Sequence, residues 1–182
     1  MEIGIIMKKI AILVANGFEQ VELTEPRKAL DGAGFSTALI SPEKDRVQGW
    51  HHDTKTDFFA VDVQLENAQP HDYDALLLPG GVFNPDELRL NPQAISFIKH
   101  FVQAKKPIAA ICHGPWTLIN ALGVAGKTMT SWPSLSLDLQ NAGAHWQDKA
   151  VVVDGNLITS RKPEDIAQFN KAFIELLSEN IS

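Results

Sequence analysis

The chain has 182 residues, 45% hydrophobic and 21% charged, the balance of an ordinary folded protein and far from that of a disordered one. Sixteen Lys and Arg against 22 Asp and Glu give a net charge of −6 at pH 7, which argues against a nucleic-acid partner, and no Lys/Arg cluster lies beside an apolar helix to meet an anionic membrane. A single cysteine excludes an internal disulfide and a cysteine-built zinc cage, and no apolar run approaches the ~20 residues needed to span a bilayer.

Residues 1–7 read as a short extension before the main domain, 8–182, with Met7 as an alternative start. Glu2 ahead of a short apolar stretch is the wrong order for a secretory signal. With a lone unpaired thiol, this places the protein in the cytoplasm. Lys9-Ile10-Ala11-Ile12-Leu13-Val14 is the kind of apolar run that lies buried on both faces of a parallel sheet. Asn16-Gly17 ends it, a helix is predicted from about Gln20 to Gly32 with Pro26 in a first turn or at a kink, and Phe35–Ile40 forms a second strand. Residues 42–57 read as polar and irregular, and Phe58–Val63 as a strand without an obvious place in the sheet. Asp74–Leu78 is a buried strand stopped by Pro79-Gly80-Gly81, after which Asn91-Pro92 opens an amphipathic helix.

Ile108–Ile111 runs without a spacer into Cys112-His113-Gly114-Pro115 and an apolar helix to about Leu122. A short strand at Thr128–Thr130, a helix from about Ser134 to Asn141, and a hairpin over Val151–Thr159 turning at Asp154-Gly155 follow. A last helix starts at Pro163. Strands alternating with helices predict a single α/β domain, a mostly parallel sheet with helices on both faces.

Three strand ends carry chemistry. In open parallel sheets, sites form beyond the carboxyl ends of the strands. A buried strand that turns into a helix at Cys112 exposes a nucleophile at a tight bend beside free N–H groups, which favour a thiolate. His113 next to it is a candidate general base, although adjacency alone leaves its orientation open. Gly80 and Gly81 offer unobstructed N–H groups for an oxyanion hole together with the N–H of His113. The other histidines, His51, His52, His71, His100 and His145, show no metal-ligand spacing, and neither G-x-G-x-x-G nor a Walker motif occurs, so no metal and no cofactor are expected.

The stretches Ala15–Leu23, Leu78–Gly81, Ala110–Pro115, Asn141–Ala144 and Val152–Asn156 with Thr159–Arg161, in this order, resemble the PfpI family of intracellular proteases within the DJ/PfpI superfamily. The resemblance implies a flavodoxin-like three-layer fold like that of class I glutamine amidotransferases, and a homodimer or higher homo-oligomer. It implies Cys112 as nucleophile, His113 as its base, and Glu19 as the carboxyl group that hydrogen-bonds the thiol. Two like charges so close would have to share a proton and titrate as a pair. In the family's proteases a second subunit lends the histidine a carboxylate. The matching place here is Asp86, with Glu87 as the fallback; Asp86 departs from the family's pattern in being shorter than glutamate and in following a loop one residue longer. The implied activities are peptide hydrolysis or deglycase- and glyoxalase-like chemistry on a small aldehyde, all needing an activated sulfur. A redox-sensing or chaperone-like stress protein without turnover is the alternative use of the same thiol.

Overall fold

A computed structural model describes residues 7–179. In chain order the elements are β1 (Lys9–Leu13), β2 (Phe18–Glu19), α1 (Val21–Gly32), β3 (Ser36–Ser41), β4 (Arg46–His51), β5 (Thr54–Ala60), β6 (Val63–Gln64) and β7 (Ala75–Leu78). They continue with α2 (Phe83–Arg89), α3 (Pro92–Gln103), β8 (Ile108–Ile111), α4 (Trp116–Asn120), β9 (Thr128–Met129) and α5 (Ser136–Asn141). β10 (His145–Trp146), β11 (Val151–Asp154), β12 (Leu157–Ser160) and α6 (Ile166–Glu179) complete the series. The expected extension lies, apart from Met7, outside the described residues.

Seven strands form the central sheet in the order β11-β12-β8-β7-β1-β3-β6, parallel except for the hairpin strand β11. Side chains alternate across it with the period of two that strands impose. Ala11 and Leu13 of β1 face a layer containing α3 and α4 through Phe97, Ile98, Phe101 and Leu118. Ile10 and Ile12 face the opposite layer, built by α1 and α6 through Leu23, Leu30, Phe169 and Phe173. The flavodoxin-like α/β arrangement predicted from the sequence is therefore the one observed.

The chain leaves β1 toward β3 on one side and later returns to β7 and β8 on the other. That reversal opens a crevice at the carboxyl ends of β1, β7 and β8. Two expectations need correction. Residues 42–57 are not irregular: β4 and β5 form an antiparallel hairpin, paired through β2 into a separate three-stranded sheet that stands over the crevice. The segment expected as one strand, Phe58–Val63, is split between this hairpin and the edge strand β6. The loop after Gly81 also carries a helix of its own, α2, with Pro85 in its first turn, where a missing N–H is tolerated.

Candidate active site

Cys112 follows the last residue of β8 and has φ +62°, a left-handed conformation unusual for a residue with a side chain. Its N–H donates to Ser160 O at 3.0 Å and its carbonyl accepts from Trp132 N at 2.8 Å, so neighbouring segments hold the bend from both sides. Such backbone strain costs of order 1–3 kcal/mol and persists where the surroundings over-determine it. The thiol is buried at 7% exposure but reaches one wall of a cleft of about 640 Å³, shared with Glu19, Glu22, Trp50, His52, Gly81 and His113 among others.

The carboxyl group beside the sulfur is that of Glu22, not Glu19. Glu22 sits in the first turn of α1, fully buried, and its Oε1 accepts the Gly80 N–H at 2.9 Å. Among the described residues its Oε2 has no fully formed hydrogen bond, and it is closed to solvent, while the thiol lies against the carboxyl. A proton on Oε2 would complete that contact as a donor to sulfur. Three residues earlier, Glu19 ends β2 and is aimed by the β2–β4 pairing at the hairpin tip, where its Oε2 accepts the His52 N–H at 3.0 Å. It borders the cleft without being the thiol's direct partner.

Burial, first, and the nearby Glu22 charge, second, push the Cys112 thiol well above its ordinary range; the N–H groups of Gly81 and His113 pull it back. Burial likewise raises Glu22 well above the usual carboxylate range, against the lowering effect of the Gly80 N–H. The expectation of a thiol simply acidified at a helix start is thus corrected: desolvation outweighs the N–H groups, and ionisation belongs to the Cys112–Glu22 pair.

His113 Nδ1 stands 3.3 Å from Cys112 Sγ. Its ring stacks on Trp132, centroids 6.0 Å apart and planes at 22°. Desolvation lowers its pKa to about 4, so the imidazole is neutral at neutral pH and a weakened base. Asp86 and Glu87 lie on the exposed face of α2, and neither lines the cleft. Among the described residues no carboxylate of the same chain forms a hydrogen bond or ion pair with His113.

Gly80 and Gly81 divide the work expected of both. The Gly80 N–H is already given to Glu22, and the Gly81 N–H approaches the sulfur. A Cβ at Gly80 would stand 2.7 Å from Glu22 Oε1 and 2.8 Å from Cys112 Cβ, and Gly81 has φ +77°, so both positions suit glycine alone. Asn84, which the sequence reading passed over, pins this turn from α2. Fully buried, it donates to Pro79 O and Gly80 O at 3.0 Å each and accepts from Ala15 N at 2.7 Å. Its only sequence signal is an amide in the fourth position after Gly80.

The chain as a whole has relatives among known proteins. The DJ-1/PfpI family profile fits residues 8–176. The chain belongs to the DJ-1/PfpI family. An uncharacterized protein of Staphylococcus aureus is 44% identical over 173 residues, 93% of this chain and 98% of its own length. The crystal structure of a two-domain Anabaena variabilis protein with DJ-1/ThiJ/PfpI-like and ferritin-like domains is 37% identical, with a TM-score of 0.86 over 94% of this chain and 48% of its own. Drosophila melanogaster DJ-1beta is 28% identical, with a TM-score of 0.84 over 94% of this chain and 90% of its own. Among the described residues no helix is long and apolar enough to cross a membrane.

Proposed function

We propose that the protein is a cysteine-dependent hydrolase of the DJ-1/PfpI type, acting on small aldehydes or carbonyl adducts in stress protection. The observation that carries this reading is the Cys112–Glu22 pair, complete within one chain, with a neutral imidazole at 3.3 Å and the Gly81 and His113 N–H groups beside the sulfur. Peptide hydrolysis by a full triad needs a carboxylate on His113, which the described residues of one chain do not supply; a partner's Asp86 or Glu87 would have to bring it.

On methylglyoxal the sulfur adds to the aldehyde carbon, and the proton of the Cys112–Glu22 pair passes to the carbonyl oxygen, giving a hemithioacetal. Neutral His113 or ionised Glu22 then moves a proton from C1 to the neighbouring carbonyl carbon, C2, while the hydroxyl proton on the C1 oxygen passes to the C2 oxygen, leaving a lactoyl thioester. Water hydrolyses it to lactate and returns the thiol, so methylglyoxal plus water becomes lactate with no external oxidant. The N–H groups of Gly81 and His113 hold the oxygen charge that develops on the way.

The test is lactate release from methylglyoxal. Native protein is expected to turn over, Cys112→Ser to lose all turnover, and Glu22→Gln to fall by about 10²-fold or more, the usual weight of a general acid–base. Equal rates in native and Cys112→Ser protein would overturn the reading. A second reading rests on the same N–H groups and Glu22, which stand where they could also receive the oxygens of an oxidised sulfur. Mass spectrometry after mild peroxide separates the two: prompt, Cys112-specific sulfinate without turnover marks a sensor.

A further inference from the structure

We propose that Glu19, His51 and His52 form a binding site for one divalent cation of the zinc class at the mouth of the cleft. The adjacent pair His51-His52 shows no ligand spacing along the chain; the third ligand comes from strand pairing. β2 pairs with β4 in the register Glu19 to Trp50, which sets the Glu19 carboxylate beside the two residues after Trp50. One potential ligand atom from each of the three residues lies within 4.8 Å of the others. Glu19 Oε1 is 3.4 Å from His51 Nδ1, Oε2 is 4.0 Å from His52 Nδ1, and the two imidazole centroids are 4.3 Å apart.

A second observation points to a ligand. Glu19 is only 6% exposed, and its Oε1 is shut off from solvent and forms no hydrogen bond among the described residues, although His51 Nδ1 stands 3.4 Å away. A buried carboxylate oxygen left unserved is costly, and nearly all such atoms in folded proteins have a partner. His51 and His52, by contrast, are 66% and 71% exposed, so their rings can turn inward without unpacking the core. Tetrahedral zinc with bonds near 2.0–2.2 Å needs its ligand atoms roughly 3.3 Å apart, a closure of up to about 1.5 Å from the distances seen. Two imidazoles and one carboxylate suit zinc and its neighbours, whereas calcium and magnesium favour all-oxygen shells. Three protein ligands leave a fourth position for water or for an oxygen donor entering the cleft. The site stands whether or not Cys112 turns over a substrate.

The experiment is calorimetric titration of Zn²⁺ alone into Cys112→Ser protein, where the thiol cannot contribute. One ion per chain is expected with a dissociation constant of micromolar or below, and Co²⁺ should develop the visible bands of a four-coordinate site. His51→Ala, at an exposed position, and Glu19→Gln should each weaken binding by at least the roughly tenfold that loss of an outer-shell partner costs. Far-UV circular dichroism on each variant verifies that it is folded. Absence of stoichiometric binding, or binding unchanged in folded His51→Ala, would overturn the proposal.

Discussion

Desolvation acts on Cys112, Glu22 and His113 together, and in each it favours the neutral form. For the two acids that means raised values, and for the imidazole a lowered one. With Glu22 ionised, a second negative charge on the adjacent sulfur is opposed; with Glu22 protonated, the thiolate gains a donor. The two groups therefore lose their protons in sequence, the second only at higher pH than the first. The rate of thiol alkylation by iodoacetamide, followed against pH, should rise in two steps in the native protein. Glu22→Gln should collapse these into one, since the amide donates but does not titrate, while Glu19→Gln should keep both. A single step in the native protein would show that the pair is uncoupled. The linkage has a definite sign as well: because native Glu22 holds its proton above the ordinary carboxylate range, it weakens the fold as pH rises from that range through its native value.

Elements carry the residues to each other, and here legibility divides along physical lines. β1, β7 and β8 announce themselves as apolar runs because they are buried on both faces, and the Cys112 bend was readable because a strand meets a helix there without a spacer. The β4–β5 hairpin was hidden. Most of β5 is exposed, and the turn uses His52 at φ +57° instead of an Asn-Gly or Gly-x pair. Because the hairpin was missed, so was the reason Glu19 turns away from the sulfur: its strand belongs to the hairpin's sheet. Glu22 was overlooked because an acidic residue in a first helical turn is ordinary, and only the depth of α1 against Gly80 makes it buried. Asn84 binds α2 to the ends of β1 and β7 through three hydrogen bonds that water cannot replace in a buried site. Asn84→Ala should lower unfolding stability by about 2–3 kcal/mol, read from urea denaturation. A change below the error of that measurement would mean the turn is held by Gly80 packing alone.

At the scale of the whole molecule, the cleft is bordered by apolar side chains that a lone chain leaves in water. Val82 is 54% exposed, Phe83 55% and Trp132 39%, all at the mouth that holds Cys112. Contiguous exposed apolar surface of this kind marks contact sites, and DJ-1/PfpI proteins are often homo-oligomeric. Val82 and Phe83 lead into α2, whose exposed face carries Asp86 and Glu87, so a contact through this rim would bring those carboxylates into a shared interface. A two-fold interface uses the same patch on both copies, and one substitution therefore strikes it twice. The native protein is expected to run as a dimer or larger in light scattering at micromolar concentration, and Val82→Asp as a monomer. Thermal unfolding of the free Val82→Asp chain should change little, because substitutions at exposed positions usually fall within about ±0.5 kcal/mol. Monomeric native protein, or a Val82→Asp variant that still assembles, would move the contact elsewhere and leave any triad carboxylate for His113 without a route.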